Sequence, residues 1–306
     1  MRLAVIGAGA MGGALAAEAA TAGHDVHIVD TSTELVTHVN EHGIEIRGGD
    51  SVITARPGAT TDAASLGPVD VAVLFVKAQH TRAAAKSIEL VRDPDTVVVS
   101  LQNGWGNSDV LAELLGVDRL VFGVTYHSCS VLGVGVVNHT ASGETFVGPY
   151  EGTDQTGADV VAELLRTTGW PTTVTPNVRT EIWKKLILNC ATLPTAALTG
   201  LTAGALGDTA AMAPLIEGLA REATAVARSL GIDIDPDERL DRIRTMLAGA
   251  GAGKPSMLQD AEARRKTEIE VINAAVVRAG ASTGVATPLN GAMVSLVGGL
   301  EKGWTQ

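Results

Sequence analysis

The chain has 306 residues, enough for two domains that each bury a core. Hydrophobic residues make up 45% of it and aromatics only 3%, so those cores are expected to be built from Ala, Val, Leu and Ile. A net charge of −11 argues against a nucleic-acid groove or an anionic membrane surface as the main partner, and Cys129, Cys190 and the seven histidines show neither a disulfide framework nor metal-ligand spacing.

The chain opens on Leu3 to Ile6, a short buried strand, which runs into Gly7-Ala8-Gly9-Ala10-Met11-Gly12 and an alanine-rich helix to about Ala22. In this strand-turn-helix context the glycines have separate tasks. Gly7 permits the tight turn, Gly9 lets backbone approach a pyrophosphate, and Gly12 lets helix and strand pack closely. The helix N-terminus then offers free N–H groups and a positive dipole end to the phosphates. A second strand, Asp25 to Val29, ends in Asp30, whose carboxylate suits two ribose hydroxyls and repels a 2′-phosphate. NAD is therefore the expected cofactor, with NADP less favoured. Arg2 followed by apolar and small residues superficially resembles a signal peptide, but the fingerprint glycines explain these residues, and no run of about 18 apolar residues follows. A cytoplasmic location is expected.

Thr33 to Asn40 suits a helix and Gly43 to Gly48 an alternating strand. The runs Val69 to Val76 and Thr96 to Leu101 read as parallel strands buried on both faces, followed by Lys77 and by Gln102-Asn103-Gly104. Ligands of doubly wound sheets bind outside the strands' carboxyl ends, which marks Gly7, Asp30, Lys77 and Asn103. Leu120 to Val147 reads as further strand, with Ser142 to Gly148 closing the first domain, Gly152 to Gly157 as loop and Val160 to Leu165 as helix. Prolines and threonines between Trp170 and Asn177 mark a hinge, so residues 1–171 are taken as a Rossmann-type dinucleotide-binding domain and 172–306 as an all-helical domain, an α/β chain overall.

In the second domain Asn177 is expected to cap a helix that Pro194 disrupts, and Ala210 to Gly231 forms another. Ala248 to Gly253 reads as a flexible link and lid hinge, and Asp260 to Ala279 as the last long helix, stopped by Gly280. Lys185 and Asn189 are four residues apart and share a helix face, whereas Lys184 points one step around toward solvent. Glu268 sits in a charge-rich stretch of the kind that usually forms a solvated face.

The pieces Gly7 to Gly12, Val76-Lys77-Ala78, Leu101-Gln-Asn-Gly104, Trp183-Lys-Lys185-Leu, Asn189, Ser256-Met-Leu-Gln-Asp260 and Lys266-Thr-Glu268-Ile occur together and in order. With them the sequence resembles the ketopantoate reductase (2-dehydropantoate 2-reductase) family from residue 1 to about Pro288. The resemblance implies hydride transfer from a reduced nicotinamide to C2 of a small 2-keto acid, and a helical domain closing over the dinucleotide-binding one. It implies Lys185 as general acid and Glu268 as the carboxylate holding it and the substrate. Asn103, Asn189 and Ser256 then position substrate or nicotinamide. Chemically this is coherent, because burial lowers a lysine pKa and a neighbouring carboxylate raises it.

Two positions depart from the family pattern. Members using NADPH carry an arginine where this chain has Thr31, and a further family asparagine is Leu193 here. Leu193 follows Lys185 and Asn189 at four-residue steps, so it is expected to line the far end of the substrate site and relax discrimination toward branched or aromatic 2-keto acids. A D-2-hydroxyacid dehydrogenase is the enzymatic alternative, and a nicotinamide-binding sensor the non-enzymatic one. The assembly considered is a homodimer. If one straight helix joined Ser256 to Glu268 it would span about 18 Å, too far for both to touch one small substrate. Ser256 to Gln259 is therefore expected to be loop, with Asp260 capping a helix from Ala261.

Overall fold

The computed structural model describes residues 1–48, 51–152 and 154–304. The chain forms two compact units, one of Met1–Gln102 and Asn107–Val178, the other of Asn103–Gly106 and Arg179–Gln306.

In the first unit the elements run β1 (Arg2–Ile6), α1 (Ala10–Thr21), β2 (Asp25–Val29), α2 (Thr33–His42), β3 (Ile44–Gly48), β4 (Ser51–Ala55), β5 (Gly58–Thr60), β6 (Val71–Leu74), α3 (Thr81–Val91), β7 (Val97–Ser100), α4 (Asn107–Leu115), β8 (Leu120–Thr125), β9 (Ser128–Gly133), β10 (Val136–Ala141), β11 (Thr145–Pro149), α5 (Thr156–Thr167) and β12 (Thr172–Val174). The main sheet has the order β12-β11-β8-β7-β6-β1-β2-β5. Its described pairings are parallel except β11 with β8. β6, β7 and β8 are apolar runs buried along their length, as strands covered on both faces must be. Strand order reverses between β1 and β6, and Gly7 and Lys77 follow their carboxyl ends.

A second sheet, β4-β3-β10-β9, was not legible in the pattern of apolar residues. α1 packs against strands of both sheets, which explains its composition: Gly12 to Ala17 and Ala19 are all buried. Small side chains let the layers approach. The polar chain that fixes α1 is itself enclosed. Glu18 accepts from Trp170 Nε1 at 2.6 Å and binds His139 Nδ1 at 2.9 Å, while His139 Nε2 meets His127 Nδ1 at 2.9 Å and His127 stacks on Trp170.

The expected boundary after residue 171 falls inside this unit, because β12 pairs with β11 and extends the sheet where a hinge was expected. The loop expected over Gly152 to Gly157 is shorter, since α5 begins at Thr156; residue 153 of that stretch lies outside the described residues.

The second unit is helical: α6 (Val178–Thr199), α7 (Ala203–Asp208), α8 (Ala213–Ser229), α9 (Pro236–Gly249), α10 (Ser256–Glu262), α11 (Asn273–Thr283) and α12 (Pro288–Gly303). α6 starts directly after Asn177 but does not stop at Pro194, which lies inside it. Proline removes the N–H that would bond the carbonyl four residues back, that of Cys190. Asn273 Nδ2 supplies the missing donor at 3.0 Å. The same nitrogen donates to Asn290 Oδ1, and Asn290 Nδ2 donates to Glu222, whose carboxylate also takes the backbone N–H groups of Leu289 and Asn290. One buried polar network thus joins α6, α11, α8 and the start of α12.

Three further expectations change. The glycine-rich link is no free hinge: α9 runs to Gly249, and Gly251 and Gly253 accept from the N–H groups of Gly204 and Ala203 at 3.0 and 2.9 Å. The expected helix from Asp260 to Ala279 is broken. α10 ends at Glu262, Arg264 turns the chain at φ 49°, and α11 begins only at Asn273. Gly280 lies within α11, which stops at Gly284 in the left-handed region, and α12 follows. Ser256 to Gln259 is helix rather than loop, yet no continuous helix reaches Glu268, so the distance argument separating Ser256 from Glu268 does not apply.

Candidate active site

In the first unit the fingerprint turn is built at the end of β1. Gly7 takes φ 91°, and a side chain there would meet Val76 Cγ1 at 2.7 Å. A Cβ on Gly12 would strike the carbonyl oxygen of Gly7, so the turn closes only with glycine at both places. Gly9 instead faces open space, with nothing within 4 Å of a Cβ placed on it. It stands at the N-terminus of α1 without a side-chain cap, and the first turn holds no acidic residue. Such a terminus is suited to an anion held by backbone N–H groups.

Asp30 is anchored rather than mobile. Its Oδ2 accepts from Ala8 N–H and its Oδ1 from Ser32 N–H, both at 2.9 Å, which ties the end of β2 to the fingerprint loop. Lys77 is partly buried after β6, and Gln102 fixes that strand end by donating from Nε2 to the carbonyl of Val76 at 2.8 Å and to Thr81 Oγ1 at 2.9 Å. No structural role is assigned to Gln102 by the sequence pattern; its place beside Asn103 is the one signal the sequence offers.

A second cluster of the expected site residues lies in the second unit. Lys185, on α6, donates from Nζ to Asn103 Oδ1 at 2.8 Å. Burial of its ammonium pulls the pKa down to about 8, against the Glu268 carboxylate, which raises it. Lys184 behaves differently, pairing with Glu181 at 2.8 Å with a side chain 37% exposed. Asn189, one turn past Lys185, is buried. Glu268 is 7% exposed, not on a solvated face: the turn at Arg264 ends α10 and folds Thr267 and Glu268 inward, while Arg264 to Lys266 stay outside. Ser256 opens α10 and is partly buried, followed by Met257 and Leu258 in the apolar core.

Asn103 reaches this unit because the segment after β7 docks on it. Trp105 N–H donates to the Val271 carbonyl at 2.8 Å, the Trp105 ring lies 5.4 Å from that of Trp183, and Arg179 sits over it at 5.6 Å. Gly104, at φ 90°, presses so closely that a Cβ would strike the Val271 carbonyl oxygen. Leu193 is 7% exposed and belongs to the same apolar core, so packing alone accounts for it.

The model of the family "Ketopantoate reductase PanE/ApbA" matches residues 3–152, and the model of its C-terminal domain matches residues 177–301. The chain belongs to the ketopantoate reductase family. Relatives named 2-dehydropantoate 2-reductase include one from Halobacterium salinarum, 30% identical over 97% of this chain and 98% of that one, and one from Vibrio cholerae, 29% identical over the full length of both. Among solved structures, a PanE/ApbA family ketopantoate reductase from Ralstonia eutropha superposes with a TM-score of 0.91 at 29% identity, covering 100% of both chains. A ternary complex of D-mandelate dehydrogenase with NADH and anilino(oxo)acetate superposes with a TM-score of 0.95 at 25% identity, over 100% of this chain and 99% of that one. The fold of a ketopantoate reductase, a Rossmann-type unit followed by a helical one, is thus the fold described above. Among the described residues no helix is long and apolar enough to cross a membrane, and no group of three or more His, Cys, Asp and Glu is placed to hold a metal ion.

Proposed function

We propose that this chain is a nicotinamide-dependent reductase of 2-keto acids, with Lys185 as general acid, Glu268 as its partner carboxylate, and ketopantoate as the leading substrate. The observation that carries the proposal is the Lys185 ammonium, bonded to Asn103, under the charge of Glu268 and poised at about 8. Reduction of a ketone builds negative charge on its oxygen; an ammonium directed there stabilises that charge and delivers the proton. Asn103 fixes one of the three N–H donors of Lys185, and Asn189 and Ser256 supply polar groups for the substrate. The open approach over Gly9, the uncapped start of α1 and the anchored carboxylate of Asp30 fit a dinucleotide. When bound, its reduced nicotinamide supplies the hydride. Asp30 and Thr31 favour NADH over NADPH, since a carboxylate at this strand end repels a 2′-phosphate.

The test is a panel of 2-keto acids assayed with each cofactor. NADH should give the higher kcat/KM, and equal values or an NADPH preference would overturn the cofactor assignment. Lys185→Ala should lower kcat by about 10²-fold or more while NADH binding persists, and Lys184→Ala should do little. The reverse pattern would move the role to Lys184, and absence of turnover with every acid would leave a nicotinamide-binding sensor.

A second reading has its own support in the likeness to D-mandelate dehydrogenase: a D-2-hydroxyacid dehydrogenase acting on branched or aromatic 2-keto acids. Under it phenylglyoxylate is reduced at least as well as ketopantoate, and Leu193→Asn shifts preference toward ketopantoate. Strict selectivity of the unmodified enzyme for ketopantoate rejects it.

A further inference from the structure

Neither the family motifs nor the proposed reaction assigns a task to Glu301, yet its placement needs one. It lies in the last turn of α12, the negative end of the helix, where a carboxylate is disfavoured by about 0.3–1 kcal/mol. Its Oε1 accepts from both the backbone N–H of Thr267 at 2.8 Å and the Thr267 hydroxyl at 2.6 Å. The same hydroxyl oxygen accepts from the N–H of Ile269 at 3.3 Å. The residues on either side of Glu268 are therefore tied, directly or through one hydroxyl, to a single oxygen. Thr267 is 1% exposed and Ile269 2% exposed, so water does not offer a substitute for these bonds.

We propose that Glu301 is a positioning residue of the active site: by holding Thr267 it fixes the stretch of backbone that carries Glu268, the carboxylate proposed as the partner of Lys185. Chain geometry requires such a device. Glu268 stands between the left-handed turn at Arg264 and a single 3₁₀ turn at Ile269–Val271, with no helix of its own to set its direction. Of the other charged groups around this segment, Arg264, Arg265, Lys266, Glu270 and Lys302 are exposed, the buried Asp260 pairs with Arg265 at 3.2 Å, Lys184 is engaged with Glu181, and Arg179 covers Trp105.

The inference rests on the proposed role of Lys185, and its test separates the two. Proton affinity of Lys185 is read without turnover, by competitive acetylation of its amine across pH with peptide mapping, alongside the pH profile of kcat/KM for 2-keto acid reduction. Glu301→Ala should lower the pKa of Lys185 by about 0.5–1 unit and cut kcat about tenfold, with KM for NADH little changed. Glu301→Gln, which keeps an oxygen acceptor for both Thr267 donors, should restore most of the pKa and lie within about threefold of the parent kcat. Should Glu301→Ala fail to fold, Thr267→Val removes the hydroxyl link alone and Thr267→Ser restores it, with the same shift and rescue expected. A Lys185 pKa unmoved in the folded Ala or Val variants, or Gln and Ala variants alike, overturns the proposal. A shifted pKa in a protein that turns over no 2-keto acid upholds the positioning and rejects the reaction.

Discussion

Lys185 carries its proton under two opposing influences, and the sign of each decides what pH does. With Lys185 as the proposed general acid, reduction needs the ammonium, so kcat/KM for the 2-keto acid should be level below about 8 and fall about tenfold per pH unit above it. Oxidation of the hydroxy acid should rise over the same range. A limb near the ordinary lysine value of 10.5, or none, would remove Lys185 from proton transfer. The same residue burdens the fold. Between about 8 and 10.5 the unfolded chain binds the proton and the folded chain does not, so stability should rise with pH across that window, and the full penalty is present below it. Lys185→Met should therefore abolish activity yet raise Tm at pH 7 by a few degrees, the gain fading toward pH 10.5. Equal Tm differences at both pH values would mean the ammonium is not strained by burial. At this scale the different surroundings of Lys185 and Lys184, one buried and one paired with Glu181 near solvent, were legible, because the stripe shared with Asn189 is a local property of the helix. The burial of Glu268 was not: its charged neighbours Arg264 to Lys266 and Glu270 are indeed exposed, and only the turn at Arg264 separates them from it.

At the scale of elements, rules that act within a few residues succeeded and rules broken by distant partners failed. β1, α1 and β2 appeared within a residue or two of their expected limits, since fingerprint and apolar runs are contiguous. Pro194 was expected to disrupt α6, and by local physics it should; the compensating donor, Asn273, comes from another helix. α12 was missed because Gly291, Gly298 and Gly299 lie within it, and glycine weakens the helical signal. The proline and the asparagine should therefore be coupled. Asn273→Ala leaves the Cys190 carbonyl and Asn290 Oδ1 without that donor, at a cost of about 2–4 kcal/mol. In a Pro194→Ala background the restored N–H serves the Cys190 carbonyl, and the cost of Asn273→Ala should shrink by about 1 kcal/mol. Urea unfolding of the four proteins measures this coupling; strict additivity would show that the amide does not stand in for the helix bond.

For the whole molecule, the two units do not partition the sequence in order. The chain leaves the dinucleotide-binding unit after Gln102, contributes Asn103 to Gly106 to the helical unit, and returns at Asn107. Lys185 thus takes its partner oxygen from a segment encoded between two elements of the other unit, β7 and α4. Gly104 is the point on which this docking depends. It needs its positive φ and the space against Val271, whereas Gly106, with φ 98°, has nothing within 4 Å of an added Cβ. Both alanine variants pay about 1–2 kcal/mol of backbone strain, but only Gly104→Ala also meets backbone and must lift the segment away. Gly104→Ala should lower kcat about 10²-fold by drawing Asn103 off Lys185, while NADH affinity, which the dinucleotide site proposed at the fingerprint sets, stays within about threefold. Gly106→Ala should lose far less of kcat. Stopped-flow NADH binding and steady-state kinetics on the pair decide the matter: equal losses of kcat would show that strain alone is responsible, and a large parallel loss of NADH affinity would show that the segment serves the dinucleotide rather than Lys185.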